Sequence, residues 1–387
     1  MNCKPFDAGW FRTYLLHDLL PHWLEAATTD EGLFLPNLDR QWRHVGEPVG
    51  TAVSQGRMLH NLAIGFDLTG DEAYRDALRV GARFLLDGFR DPEHGGWFHA
   101  VGPGGAVVDD HKDAYDLAFV VLGLAHASRA TDEPDFRAGM AEAWDLLDSR
   151  FRDEHGGFMR KLTRTFEPNE DRRTQNPTMH LFEALLAAGD VDPAMLDRAE
   201  QVGRFVLNRL VHWDGQPCLP EYFDLDWAEL PRERGGCCIL GHQFEWAFLF
   251  SYATEKGLPS WWVMPATDLL QFGLRCGRDP DDGGIRTAAM PDASIVSPDK
   301  GWWEQCEAVR AMLHHAVRHG RPDLWRPFDQ TLDFVKTHFV DTEYGGYYNR
   351  PTTSPTETEP TKGGGAKVDY HVVGMCAEAV RLAEQAE

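Results

Sequence analysis

Six times along the chain, an aspartate, a short run and a glycine interrupt the sequence at a nearly constant interval. The marks are Asp30-Glu-Gly-Leu-Phe34, Asp91-Pro-Glu-His-Gly-Gly-Trp97, Asp153-Glu-His-Gly-Gly-Phe158, Asp214-Gly-Gln-Pro217, Asp279-Pro-Asp-Asp-Gly-Gly-Ile285 and Asp341-Thr-Glu-Tyr-Gly-Gly-Tyr347. Their leading aspartates stand 61, 62, 61, 65 and 62 residues apart. Such a period means one supersecondary unit used repeatedly, since a single unit cannot bury its own apolar face.

Between the marks the pattern is helical. In residues 72–89, Ala73, Ala77, Val80, Phe84 and Leu85 recur at three- and four-residue intervals. Asp91-Pro92 and Gly95-Gly96 then supply turn geometry and a stop. The run after each mark is the more apolar one. Residues 117–125 are apolar nearly all round, which predicts a buried helix. The periodicity predicts helices over 5–26, 51–69, 72–89, 113–129, 133–151, 175–188, 192–210, 239–256, 259–276, 300–318, 322–339 and 368–385. An open solenoid of six hairpins needs polar capping units, and none is distinct. The expected fold is therefore all-α: an (α/α)6 barrel in a single domain over 1–387, with six inner and six outer helices. The segments 91–112, 212–238 and 341–367 are where short strands and loops belong, and Thr352 to Lys367 is expected as a mobile flap or surface loop.

Charge removes several functions. There are 38 Lys and Arg against 61 Asp and Glu, a formal charge of −23, and no basic tract. Nucleic acid and anionic membranes are poor partners, because binding phosphates needs clustered cations. Residues 1–17 lack a basic segment followed by an apolar one, and no apolar run approaches 18 residues. A cytoplasmic protein, a monomer or homodimer, is expected. Seven scattered cysteines without a Cys-x-x-Cys pair argue against a disulfide framework or zinc knuckle.

In a closed ring of hairpins the inner helices run parallel, so their N-termini share one mouth. Those helices are expected to start near 51, 113, 175, 239, 300 and 368. Gln55 and Arg57 lie in the first turns of the first. Lys112, Asp113 and Tyr115 open the second; Asn176 and His180 the third; His242 and Glu245 the fourth. Lys300, Trp302, Trp303 and Gln305 open the fifth, and Tyr370 and His371 the last. Two imidazoles can take and return a proton near neutral pH. An arginine stabilises an oxyanion as charge develops, a carboxylate beside a histidine fixes its tautomer, and aromatic faces suit a sugar ring. The set suits proton transfer alpha to a sugar carbonyl. A glycosidase would want two opposed carboxyl groups, for which Asp113 and Glu245 are candidates. The two His-x-x-Glu pairs also leave a metal site open.

Five segments together resemble the N-acylglucosamine 2-epimerase family: Gln55-Gly-Arg-Met58, Asn176-Pro-Thr-Met-His-Leu-Phe-Glu-Ala184, Gly241-His-Gln-Phe-Glu-Trp246, Lys300-Gly-Trp-Trp-Glu-Gln-Cys-Glu307 and Lys362-Gly-Gly-Gly-Ala-Lys-Val-Asp-Tyr-His371. The resemblance implies an (α/α)6 barrel acting on open-chain sugars without cofactor or metal. It makes His242 and His371 the acid/base pair and places Arg57 at the reacting oxygens. Tyr115, Asn176, His180, Glu245 and Trp303 would line the sugar site, with Arg232 or Arg234 as further substrate contacts. The expected partner is a monosaccharide, or at most a disaccharide. The expected reaction is aldose–ketose isomerisation of mannose, with N-acylhexosamine 2-epimerisation as the alternative and glycoside hydrolysis a more distant one. Val372-Val373-Gly374 departs from the Pro-Arg that often follows the last histidine in the family, which bears on the substrate branch.

Overall fold

A computed structural model describes residues 6–348 and 361–385 of the chain. Among them, twelve helices form six successive pairs, as the periodicity predicts. These are α1 (residues 9–27) and α2 (Ala52–Thr69), α3 (Glu72–Asp87) and α4 (Ala114–Thr131), α5 (residues 134–151) and α6 (Asn176–Ala188). There follow α7 (residues 194–210) and α8 (Leu240–Glu255), α9 (residues 263–277) and α10 (Trp302–Arg318), then α11 (Trp325–His338) and α12 (Tyr370–Glu384). The even-numbered helices form the inner ring, each packed on the next, and α12 returns to α2 to close it. Each outer helix lies against the inner helix that precedes it, α1 against α12. The molecule is an (α/α)6 barrel. Inner helices are buried on all sides: in α4 every residue from Leu117 to Ala125 is inaccessible or nearly so.

Strands of two or three residues lace the mouth. β1 (Gly50–Thr51), immediately before α2, pairs antiparallel with β2 (Ala100–Val101), which also pairs with β3 (Val107–Asp109). β4 (Lys112–Asp113) before α4 pairs with β5 (Lys161–Leu162), and β6 (Arg173–Thr174) before α6 pairs with β7 (Tyr222–Phe223). β8 (Cys238–Ile239) before α8 pairs with β9 (Ala288–Ala289), which is joined by β10 (Ile295–Ser297). Four inner helices thus enter the barrel from a strand tied to the following repeat.

The repeated aspartate has a structural purpose. Asp91 is buried and accepts from Lys112 Nζ at 3.0 Å, from Arg164 Nε at 2.8 Å and from the backbone N–H groups of Glu93 and His94. Asp341 repeats this with Lys362 Nζ at 2.8 Å and Arg40 Nε at 2.8 Å, and Asp279 with Lys300 Nζ at 2.9 Å. In each case the lysine follows its aspartate by 21 residues. Asp153 instead takes Trp227 Nε1 at 2.6 Å and Arg173 Nε at 3.3 Å, while Asp30 and Asp214 lie exposed. The glycines let the loop turn back on the carboxylate: Gly95 and Gly96 take φ of +79° and +72°, which side-chain-bearing residues avoid.

A second recurring device is a glutamine staple. Gln55 accepts from Phe34 N, Gln243 from Leu219 N and Gln305 from Ile285 N, at 2.9, 2.9 and 2.6 Å. The side-chain amides of Gln243 and Gln305 donate back to the carbonyl of the same residue, and that of Gln55 to Gly32 O. The recurrence of Gln55 and Gln305 at helix starts, together with Lys112 and Lys300, reads from sequence like part of the functional mouth. These four side chains instead fasten the loops: the glutamines satisfy backbone groups that burial would otherwise leave unpaired, and the lysines pair with the loop aspartates.

Two other expectations change or stand. Residues 352–360 of the expected flap fall outside the described residues. Residues 361–367 pack into the barrel, with Lys362 and Gly363 buried, because Asp341 demands the lysine. The six described cysteines are unpaired and mostly buried, and Cys3 lies outside the described residues. No helix among the described residues is long and apolar enough to cross a membrane.

Candidate active site

Three histidines reach the barrel interior from α6, α8 and α12, each with Nδ1 committed to a carboxylate. His242 Nδ1 lies 2.6 Å from Glu221 Oε2, His371 Nδ1 2.8 Å from Glu307 Oε1, and His180 Nδ1 3.0 Å from Glu183 Oε2. A ring so held keeps a fixed tautomer and orientation and presents Nε2 elsewhere. His371 Nε2 is buried and has no hydrogen-bond partner among the described residues.

The Glu221 dyad is the most elaborated. Trp246 Nε1 donates to Gln175 Oε1 at 2.6 Å, which turns the amide so that Gln175 Nε2 donates to Glu221 Oε2 at 2.8 Å. Thr174 Oγ1 donates to the other oxygen at 2.8 Å. Burial would raise the Glu221 carboxyl, but His242 and these donors hold it below the usual carboxylate range. It is an anion facing His242 Nδ1, and it fixes that ring's tautomer and orientation.

His371 is the opposite case. Burial depresses it well below an imidazole's usual range, and the charges of Lys367 and Arg57 push the same way. It is held neutral. Burial likewise lowers His180 to about 4, leaving it a neutral hydrogen-bonding group.

Trp303 stands against both His242 and His371. Its ring centroid lies 5.0 Å from His242 and 5.3 Å from His371. Gly241 permits this approach, since a Cβ there would stand 2.4 Å from the indole. Lys367 Nζ rests 4.6 Å from the same indole, and burial brings that lysine down to about 8.

Arg57 is buried, donates to Tyr115 Oη at 2.8 Å and to Ala366 O at 3.3 Å, and sits 4.2 Å from the Phe119 ring centre. Among the described residues no carboxylate lies within ion-pair distance of it, and its Nε has no hydrogen-bond partner. A buried guanidinium steadied by aromatic faces and not neutralised is poised for a negative oxygen. Glu245 is its converse: both carboxyl oxygens are buried and without hydrogen-bond partners, and the nearest imidazole nitrogen is His180 Nδ1 at 3.8 Å. Burial, then Glu307 and Glu183, raise it well above the usual range, so it is a neutral carboxylic acid able to donate.

Glu245, three residues after His242 on the same helix, does not orient that ring; Glu221 holds that position. Glu221, Glu307 and Lys367 were missed as site residues. Glu307 had a signal, four residues after Trp303 on one helix face, whereas Glu221 lies in an aperiodic connection. Asn176 opens α6, and its Oδ1 is buried without a partner. Arg232 and Arg234 are not brought into the group: both are exposed on a short 3₁₀ turn. Asp113 caps α4 through the Tyr115 N–H at 2.8 Å, a structural duty that leaves it a poor opposed acid for glycoside cleavage. Two buried donor sets, His180–Glu183–Glu245 and Glu245–Glu307–His371, have spacing that could hold a cation. Protonation of Glu245, common to both, relieves the same repulsion. A cleft of about 990 Å³ lies against α1 and contains none of these groups.

Paired, carboxylate-oriented imidazoles, one neutral, beside an unneutralised arginine define a barrel enzyme equipped for proton transfer at carbon. The model of the family described as N-acylglucosamine 2-epimerase (GlcNAc 2-epimerase) matches residues 32–375, and the chain belongs to that family. It is similar to D-mannose isomerase of Marinomonas mediterranea, 24% identical over 98% of this chain and 99% of the relative. It is 31% identical to D-mannose isomerase of Thermobifida fusca over 71% of each. A crystal structure of D-mannose isomerase superposes with a TM-score of 0.89 over 97% of this chain and 99% of that one; at 22% identity this likeness concerns the fold.

Proposed function

We propose that the protein is an aldose–ketose isomerase acting on an open-chain aldohexose, with D-mannose and D-fructose as the interconverted pair. The carrying observation is Arg57, buried without a carboxylate partner beside two imidazoles whose Nδ1 atoms are already engaged. Neutral His371 accepts the C2 proton at Nε2. Negative charge then develops on O1 of the enediolate, opposite the guanidinium. Returning the proton from His371 to C1 while the O2 hydroxyl proton is carried to the O1 oxyanion leaves the ketose, with O2 as its carbonyl and O1 as a hydroxyl. His242, oriented through Nδ1 by Glu221, serves oxygen proton transfers and ring opening. Neutral Glu245 and His180 bond sugar hydroxyls, and the Trp303 face supports the chain of the sugar.

The alternative is 2-epimerisation, in which the proton returns to the opposite face of C2 from the second imidazole. The placement of His242 and His371 about Trp303 favours giving it this second place. Incubating the protein in deuterium oxide with mannose, glucose, fructose, N-acetylglucosamine and cellobiose separately, followed by NMR, tests both. Fructose carrying deuterium at C1 is expected from mannose. Deuterium at C2 of an epimer, with no ketose, would replace isomerisation by epimerisation. Release of reducing sugar from cellobiose without isotope in the product would overturn both.

A further inference from the structure

A second cluster of donors lies at the rim, beside the sugar site. His99 follows the aromatic pair after the second glycine mark, while His111 and Asp116 flank the start of α4. One ligand atom from each lies within 4.8 Å of the others. The two imidazoles stack at 4.4 Å.

The tautomers make this more than a surface ion pair. Asp109 Oδ1 stands 2.6 Å from His111 Nδ1 and fixes the proton there, so the Nε2 lone pair is free. That lone pair faces Asp113 Oδ2 at 4.0 Å, beyond hydrogen-bond reach, so two acceptors confront each other. Arg160 Nε, 3.5 Å from the same Asp113 oxygen on a half-exposed side chain, offsets part of the charge. Asp116 is buried to 98%; its Oδ2 contacts His99 Nδ1 at 2.8 Å, and its Oδ1 has no partner among the described residues. An orphaned buried carboxylate oxygen, a free imidazole lone pair and a second imidazole are donors lacking a positive centre.

The geometry points to a divalent cation site at His99, His111 and Asp116, suited to zinc or another borderline ion. Two nitrogens and one carboxylate oxygen match zinc and cobalt better than magnesium or calcium, which want oxygen-only shells. Asp109 is the carboxylate that orients a liganding imidazole. The histidines are partly exposed, so the ion can enter from solvent. The ion would pin the hairpin of β2 and β3 to the first turn of α4, where Tyr115 holds Arg57. Its role is to stiffen the rim, separate from proton transfer at His242 and His371.

The test uses the full chain stripped with chelator and dialysed, then titrated with Zn²⁺ by calorimetry, with Co²⁺ absorption as a spectroscopic report of nitrogen ligation. One ion per chain is expected, with a raised unfolding temperature. The H99N/H111N double variant, folded by circular dichroism, should lose that ion and at least a hundredfold in affinity; D116N, which changes the least volume, should weaken it. H371N, which breaks the barrel-interior donor set, should keep it. Equal binding by H99N/H111N and the parent, or no binding by the parent, would overturn the site.

Discussion

Glu221 Oε2 lies 2.6 Å from His242 Nδ1, and the carboxylate's other contacts come from Thr174 and Gln175, the residues leading into α6. The orientation of the α8 histidine is thus set by a connection and by the entrance of a different helix. Glu221→Gln keeps the shape and removes the charge. It should lower kcat by about 100-fold with KM changed less than threefold, since His242 loses the charged partner that fixes its tautomer and orientation. Steady-state kinetics on the active sugar check this, and an unchanged kcat would remove Glu221 from the mechanism.

Lys367 helps hold His371 neutral, after burial itself. Removing a cation near an imidazole raises its pKa. Lys367→Met should therefore move the acidic limb of the kcat/KM–pH profile to higher pH, leaving the enzyme less active on the acid side. A limb shifted to lower pH would mean that His371 is not the base.

Asp369 is fully buried, accepts from Trp23 Nε1 at 3.0 Å and is pushed by burial up to about 7. An acid whose folded pKa exceeds its unfolded value near 3.9 binds more protons in the native state between those values. Stability is then lost as pH rises from about 4 to 7. Asp369→Asn suits the left-handed backbone there, φ +52°. The substitution should be neutral near pH 4 and stabilise by roughly 1–3 kcal/mol above pH 7. Denaturant melts of both proteins across that range decide it.

The buried Asp91–Lys112 pair lies under the second loop, with Arg164 reaching over from the next. Asp91→Asn leaves Lys112 buried without its counter-charge, which costs about 3–5 kcal/mol. Asp30→Asn, at the exposed first mark, should stay within about 0.5 kcal/mol of the parent. Equal losses in urea melts would show that the repeated aspartate is not a clamp.

The architecture was legible because it repeats: one period fixed the number of hairpins, and apolar all-round runs such as 117–125 marked the inner ring. His242, His371, Arg57, Tyr115, His180, Glu245 and Trp303 could be gathered because each occupies an early turn of an inner helix. The same reasoning misled at Lys112, Lys300, Gln55 and Gln305, where recurrence came from the need to fasten loops. A repeated residue serves what every repeat needs, whereas chemistry needs different residues in each. Glu221 was invisible for the complementary reason. It belongs to the connection between α7 and α8, residues 211–239, that has no periodicity, and only pairing through β7 brings it to His242.

Closure of the ring has a temporal side. Arg57 stands in the first inner helix and His371 in the sixth, and they meet only because α12 seats against α2. During synthesis from the N-terminus, a nascent chain can finish five hairpins and still have no His371 to face Arg57. Turnover is then a report on completed assembly. A ribosome-stalled chain ending before α12 should have no partial activity, and supplying α12 as a separate peptide should switch on the preassembled remainder.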